Sequence, residues 1–202
     1  MSCLIPGEVL DQVISFHGHS CPGLSIGVRA AELAIQKLGE PADIDMVAVV
    51  ETDMCGVDAI QFLTGCTLGK GNLIHRDYGK MAFCFYDRIS GNGFRALLKP
   101  NMREINRAAM TRLMKRQAEG VITEGEAETL KRLRNEIQDA YYAMPLDEMF
   151  IVSEWSMPPR KAVILESLQC ECCGEYSMES RTRRFSGKVL CIPCFMKVEQ
   201  KM

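Results

Sequence analysis

The spacing of hydrophobic and polar positions in the first hundred residues changes between helical and strand-like periods. Apolar side chains three and four residues apart predict a helix over 7–16 and a second helix from Pro22 to about Leu38. The apolar, β-branched run 45–51 is typical of a buried strand, and 57–63 has a helical pattern. Strands are predicted over 81–86 and 94–98, joined by a glycine-rich turn. These elements do not alternate regularly, so we expect an α+β core domain over residues 1–100.

The pattern becomes purely helical after Asn101. Strong helix formers predict a helical hairpin over 103–119 and 124–142, with Gly120 after the first helix and a capping box that starts at Thr123. A last strand is expected over 149–155, followed by a linker at Pro158-Pro159. We therefore assign 101–160 to a helical hairpin and linker that complete the core. One apolar stripe marks the second helix of the hairpin: Leu130, Leu133, Ile137 and Tyr141.

Composition and charge narrow the class of protein. The chain is 47% hydrophobic and 25% charged, with a formal net charge of −2, so no positive field steers it to nucleic acid or anionic lipid. The N-terminus lacks the pattern of a signal peptide, and no apolar run is long enough for a membrane helix. We expect a cytoplasmic protein without membrane association. Its ten cysteines should then be reduced, and reduced thiols in such number are typical of metal ligands.

The strongest motif lies near the C-terminus. Cys170-x-x-Cys173 and Cys191-x-x-Cys194 are separated by 17 residues. Four thiolates at this spacing satisfy tetrahedral zinc, with a β-hairpin between the two pairs. The sequence therefore predicts one structural zinc in a zinc ribbon over 168–202, with Cys172 as a bystander. The less favoured interpretation is a set of unpaired buried thiols.

A second cluster of metal-ligating residues lies in the N-terminal half. His17-Gly-His19-Ser-Cys21-Pro-Gly brings three ligands within five residues, and Cys55 follows the first predicted strand. Imidazole and thiolate together suit zinc or another transition metal with an open coordination position. We expect His17, His19, Cys21 and Cys55 to share one pocket as a metal-binding or catalytic site. A thiolate nucleophile paired with histidine is one alternative, and helix capping with buried packing is the other.

Polar residues near this cluster are candidates for supporting roles. Asp53 or Asp58 would orient a metal ligand or accept a proton. Lys70 stands in a glycine-rich loop that departs from the P-loop pattern at two positions, and an anion-binding nest with Lys70 as its charge is a less favoured interpretation of this loop. His75 is either a further ligand or a solvated loop residue.

These motifs together resemble the FmdE family of formylmethanofuran dehydrogenase subunits over about residues 8–98, and the C-terminal segment resembles DksA/TraR zinc fingers. The resemblance implies a metal or active site at His17, His19, Cys21 and Cys55, with Asp58 and Lys70 nearby. The parent enzyme interconverts carbon dioxide and formyl-methanofuran on a molybdenum or tungsten pterin, whereas the ferredoxin cysteine run is missing here. The matching segments are Phe16-His-Gly-His-Ser-Cys-Pro-Gly23, Glu51-Thr-Asp-x-Cys55, Asp58-Ala-Ile-Gln61, Gly65-Cys-Thr-x-Gly-Lys-Gly-Asn72 and Asp77-Tyr-Gly-Lys-x-Ala-Phe83.

Two functions follow from the sequence. The first is a metal-binding accessory subunit or small metalloenzyme in one-carbon or molybdoenzyme metabolism; the sequence leaves open whether the chain is catalytic on its own. The second is a zinc-finger regulator or interaction module, in which the ribbon and the helical hairpin contact protein or, less favoured, nucleic acid. The small residues of the helix from Pro22 and the amphipathic hairpin predict a homodimer, and a larger enzyme complex is a further expectation.

Overall fold

The structure, a computed structural model, describes residues 3–104, 107–156, 159 and 163–199. It divides into two compact units, 1–161 and 162–202. The elements of the first unit are α1 (Gly7–His17), α2 (Pro22–Leu38), β1 (Met46–Val50), α3 (Gly56–Thr64), β2 (Leu73–His75), β3 (Ala82–Asp87), β4 (Gly93–Leu98), a 3-10 helix (Pro100–Glu104), α4 (Arg107–Ala118), α5 (Glu124–Ala143), α6 (Leu146–Met149) and β5 (Phe150–Glu154).

The first unit is built on a mixed five-stranded sheet. Its strand order is β2-β1-β3-β4-β5, with β1 parallel to β2 and the other neighbours antiparallel. The predicted α+β class is confirmed. Strand β2 was not predicted, and its register places His75 opposite Val50, at the end of β1. The loop position expected for His75 is therefore wrong.

Helix α2 is the central element of this unit. Ile26, Ala30 and Leu33 pack with apolar side chains of the sheet, whereas Leu24 and Val28 pack in a second cluster with residues of α1 and α3. All residues from 24 to 34 are buried, which explains why small and apolar side chains dominate this stretch. The helix therefore serves as the common packing surface for the sheet and for the elements that carry the N-terminal cluster.

The closest approach of α2 to α3 is made by two glycines. A Cβ at Gly27 would lie 2.0 Å from the Gly56 carbonyl oxygen, a distance that no real contact tolerates. Side chains are thus excluded where the two helices meet. Because Cys55 immediately precedes Gly56, this contact also brings Cys55 against Gly23, the second residue of α2.

A buried ion pair joins α2 to two other segments. Arg29 and Glu32 are 0% and 1% exposed, and the guanidinium donates a 2.5 Å hydrogen bond to the carboxylate. Arg29 also donates to the carbonyl of Met144, and the backbone N–H of Leu4 donates to Glu32. Hydrogen bonds to charged groups of this kind offset the cost of burying them. They tie the N-terminal segment and the end of α5 to α2.

The helical hairpin forms largely as predicted. Thr123 and Glu126 make the capping box, and the four residues of the predicted apolar stripe are buried. The predicted start at 103 is wrong, because residues 100–104 form a 3-10 helix and α4 begins at Arg107. Both surfaces proposed for a dimer pack within the chain, α2 against α3 and α5 against α2 and α4. A second copy of the chain is not part of this structure, so the homodimer stays a prediction. The predicted linker residue Pro158 lies outside the described residues.

The second unit consists of two small hairpins and a helix. Strands β6 (Ser167–Gln169) and β7 (Tyr176–Met178) flank the first cysteine pair. Strands β8 (Thr182–Phe185) and β9 (Lys188–Cys191) form the hairpin expected between the pairs, and α7 (Ile192–Val198) begins within the second pair. This arrangement is that of a zinc ribbon. In the part of the chain that the structure describes, no helix has the length and apolar character needed to cross a membrane.

Candidate metal centres

The C-terminal cysteines converge as a tetrahedral zinc site requires. The thiols of Cys170, Cys173, Cys191 and Cys194 all lie within 4.8 Å of one another. Two of them, Cys173 and Cys191, have sulfurs 3.9 Å apart, close to the roughly 3.8 Å that zinc–sulfur bonds of about 2.3 Å give in a tetrahedron. The exposed Cys172 is not part of this cluster.

Backbone N–H groups prepare one of these thiols for metal. Those of Cys173 and Cys191 lower the pKa of Cys170 to about 6. The Cys191 N–H lies 3.3 Å from the Cys170 sulfur. Hydrogen bonds to sulfur favour the thiolate, which is the form that binds metal. The cluster therefore fits zinc in its geometry, and Cys170 is the thiol that its surroundings favour as a thiolate.

The N-terminal residues also come together. One ligand atom from each of His17, His19, Cys21 and Cys55 lies within 4.8 Å of the others. His17 ends α1, His19 and Cys21 belong to the turn before α2, and Cys55 precedes α3. The structure thus gathers into one pocket residues that are up to 38 positions apart in the sequence.

The turn between α1 and α2 has the local structure that this clustering needs. Helix α1 stops at Gly18, whose φ of +92° favours glycine. Cys21 caps α2, since its sulfur accepts a 3.4 Å hydrogen bond from the N–H of Leu24, and Pro22 begins the helix. The chain reverses within these residues, so that Nε2 of His17 lies 3.9 Å from the sulfur of Cys21.

Asp58 orients one of the histidines. Its carboxylate lies 2.7 Å from Nδ1 of His17 and also accepts a hydrogen bond from Gln61. With the Nδ1 proton held by Asp58, the lone pair on Nε2 is free for a metal. Pairs of carboxylate and histidine of this kind are common behind metal-binding imidazoles. Of the two aspartates considered from the sequence, Asp58 occupies this position.

A cavity of about 340 Å³ opens beside the cluster. Asp53, Asp58 and His17 line it together with Gln61 and His75, two residues for which the motifs predict no firm role. His75 could have been recognised only from its place on β2, next to the end of β1. Lys70 is not among the lining residues; its ammonium donates a 2.9 Å hydrogen bond to the Gly65 carbonyl of its own loop.

Burial changes the acidity of Cys55, the fourth residue of the N-terminal cluster. Desolvation and the neighbouring Cys21 thiol raise the pKa of Cys55. Two thiols so close to each other cannot both ionise readily without a compensating positive charge. A bound divalent cation would supply that charge.

A third group of polar residues, missed from the sequence, supports the end of β1. The guanidinium of Arg95 donates two hydrogen bonds, 2.7 and 2.8 Å long, to Glu51, and these lower the pKa of that buried carboxyl. Nearby, burial raises the pKa of the Cys84 thiol to about 11. Cys84 therefore stays protonated, and its thiol donates a long hydrogen bond of 3.9 Å to Glu51. The ion pair anchors the strand end from which residues 52–55 lead to the N-terminal cluster.

The two clusters and the α+β fold define a metal-binding protein with an appended zinc finger. The family described as FmdE, Molybdenum formylmethanofuran dehydrogenase operon, matches residues 16–151, and the prokaryotic DksA/TraR C4-type zinc finger matches residues 164–200. The chain therefore belongs to the FmdE family and carries a DksA/TraR zinc finger. The resemblance seen in the motifs is confirmed for both parts.

Two known proteins are similar over nearly the whole chain. A probable S-adenosyl-L-methionine-binding protein from Archaeoglobus fulgidus is 33% identical over 197 residues, which cover 93% of this chain and 52% of that protein. The chain thus spans about half the length of this curated relative. The crystal structure of an FmdE-like protein, named after tungsten formylmethanofuran dehydrogenase, from Syntrophus aciditrophicus superimposes with a TM-score of 0.63 at 25% identity. The superposition covers 95% of this chain and 92% of that one.

Proposed function

We propose that this protein holds a transition-metal ion at His17, His19, Cys21 and Cys55 in addition to the zinc of its ribbon. On this basis it acts as a metal-binding accessory subunit or small metalloenzyme in one-carbon or molybdoenzyme metabolism. The observation that carries the proposal is the convergence of two imidazoles and two thiols in one half-buried pocket, with Asp58 fixing the first imidazole.

The donor set determines which metals fit. Two nitrogen and two sulfur ligands suit Zn²⁺ and related borderline ions, whereas Mg²⁺ and Ca²⁺ prefer oxygen. If the ion bound two or three of these side chains, a position would remain for water, and the ion would supply Lewis acidity there. The chain itself contributes Asp58, which holds His17, and the exposed carboxylate of Asp53, which can accept a proton at the mouth of the cavity.

The metabolic assignment has a different basis. It rests on the family description, which refers to the operon of a molybdenum formylmethanofuran dehydrogenase, and on the name of the FmdE-like neighbour. We propose on these grounds that the chain acts together with a larger enzyme, as an accessory subunit, in a complex whose other subunits carry the redox cofactor.

Metal content tests the proposal. The full chain, purified under reducing conditions, should contain two metal ions per chain by plasma mass spectrometry. Cys55→Ser should lose one ion and keep the zinc of the ribbon, whereas Cys66→Ser, which alters a buried thiol outside both clusters, should keep two. One ion per chain in the unaltered protein would contradict the proposal and favour the interaction module.

The ribbon offers weak support for that second function. Arg183 and Arg184 on β8 and Lys188 on β9 give the hairpin a basic character. The rings of Phe185 and Phe195, however, pack edge to face with centroids 5.9 Å apart, so they contact each other. A stacking platform for nucleic-acid bases needs aromatic rings with a free face.

A further inference from the structure

Two cavities flank residues 52–54, the segment that joins β1 to Cys55. The first is the 340 Å³ cavity described above, here called the metal-side cavity. The second, here called the apolar cavity, has a volume of about 430 Å³. Thr52, Asp53 and Met54 line both. The remaining residues of the apolar cavity are Gly23, Ile26, Gly79, Met81 and Leu98.

Both cavities lack a lysine or arginine among the described residues that line them. The metal-side cavity has two carboxylates, Asp53 and Asp58, and Asp53 is the charged residue of the apolar cavity. Of the nearby cations, two lysines make contacts within their own loops. Lys70 binds the Gly65 carbonyl, and Lys80 lies over the ring of Tyr78. Two thiolates would balance the charge of a bound divalent ion, so Asp53 and Asp58 leave the lining of the cavities with a negative formal charge, which disfavours an anionic ligand.

The wall of the apolar cavity approaches the thiols at one residue. Gly23 forms part of its wall, and a Cβ at this position would lie 3.7 Å from the Cys55 sulfur and 3.9 Å from the Cys21 sulfur. Gly23 therefore lies between the cavity and the two sulfurs and contributes only backbone to this wall. A molecule in the apolar cavity can therefore contact Asp53 and Gly23, the residue that packs against Cys55.

We infer that the N-terminal site takes a small organic cation with a short apolar chain, such as a primary ammonium, and selects against carboxylates such as formate. This inference rests on the proposed function for its location beside a metal. Asp53 pairs with the ammonium, and Ile26, Met81 and Leu98 contact the apolar chain. The contribution of Asp53 is modest because its side chain is exposed, and exposed ion pairs are worth a few-fold in affinity.

The test compares two probes that differ in charge and share a four-carbon chain: n-butylammonium and n-butyrate. Binding is measured by NMR titration of the zinc-loaded full chain at neutral pH. We expect butylammonium to bind at least about tenfold more tightly than butyrate, since attraction to Asp53 is replaced by repulsion. Asp53→Asn should weaken butylammonium about three- to fivefold. Asp53→Glu should retain the affinity.

Asp43→Asn is the matched control, because Asp43 is an exposed aspartate that lines neither cavity. Equal binding of the two probes, tighter binding of butyrate, or the same loss in Asp43→Asn as in Asp53→Asn would overturn the inference. Metal content is measured on the same samples. Charge selection that depends on Asp53 in a chain with only the ribbon zinc would support the inference while the proposed function fails. Two metals per chain without charge selection would support the proposed function and overturn the inference.

Discussion

A methyl group added at Gly27 should disturb both the stability and the N-terminal metal site. The Cβ of Gly27→Ala would lie 2.0 Å from the Gly56 carbonyl oxygen, 2.4 Å from its Cα and 2.6 Å from its carbonyl carbon. All three are backbone atoms, so no side-chain rotation relieves the contact. To reach an ordinary separation of about 3.4 Å, the start of α3 must move by about 1.4 Å.

The expected change in the free energy of unfolding of Gly27→Ala is the difference between two opposing effects. Overpacking of this kind costs about 3 kcal/mol, the upper part of its usual range, because the clash is with backbone. Alanine in place of glycine within a helix stabilises the fold by about 1 kcal/mol. The free energy of unfolding should therefore fall by about 2 kcal/mol, which corresponds to about 4–8 °C in the melting temperature of a chain of this size.

Cys55 should move with α3. Metal ligands tolerate displacements of about 0.2 Å, so a shift of about 1 Å should lower the metal affinity of the N-terminal site at least tenfold. Thermal unfolding and metal titration of the full chain check both effects, and the ribbon zinc should be retained. Gly125→Ala is the control, since a Cβ there meets nothing within 4 Å, and it should be neutral or stabilising by up to about 1 kcal/mol. If Gly27→Ala matched this control in both measurements, the close helix contact would not position Cys55.

Three further predictions concern other parts of the molecule. Asp58→Asn should lower the affinity of the N-terminal site about 10- to 100-fold in a competition assay with a chelator, because His17 loses its carboxylate partner; unchanged affinity would count against that role. Cys173→Ser should lose the ribbon zinc and expose 163–199 to protease while the first unit stays folded, whereas Cys172→Ser should behave as the unaltered chain. The lowered pKa of Glu51 means that its ion pair with Arg95 stabilises the fold above the ordinary carboxyl pKa and is lost as the pH falls through the folded value. The free energy of unfolding, measured with urea, should therefore fall less steeply between about pH 5 and pH 3 for Glu51→Gln than for the unaltered chain. Parallel declines of the two would refute this.

Local patterns were sufficient to predict much of the fold. Pro22 with the apolar periodicity gave the bounds of α2, and the capping box at Thr123 gave the start of α5. The glycine-rich turn gave the β3–β4 hairpin, whose strands pair as antiparallel neighbours. These features depend on residues close in sequence, for which capping, turn and periodicity rules are strongest.

Features that depend on distant residues were not accessible in this way. Strand β2 has three residues and owes its existence to parallel pairing with β1, about 25 positions earlier. That pairing alone gives His75 its place beside the metal-side cavity. The choice between Asp53 and Asp58 also required the structure, since only the packing of α1 on α3 shows that Asp58 meets His17. Glu51 and Arg95 pair across the sheet over 44 positions for the same reason.

Anomalous diffraction at the zinc absorption edge, from crystals of the full chain grown under reducing conditions, tests the central claim most directly. Our account predicts two peaks in each molecule. One peak should lie among Cys170, Cys173, Cys191 and Cys194, and the other among His17, His19, Cys21 and Cys55. A peak in the ribbon alone, from protein supplied with excess zinc, would contradict the account and reduce the N-terminal cluster to helix capping and packing.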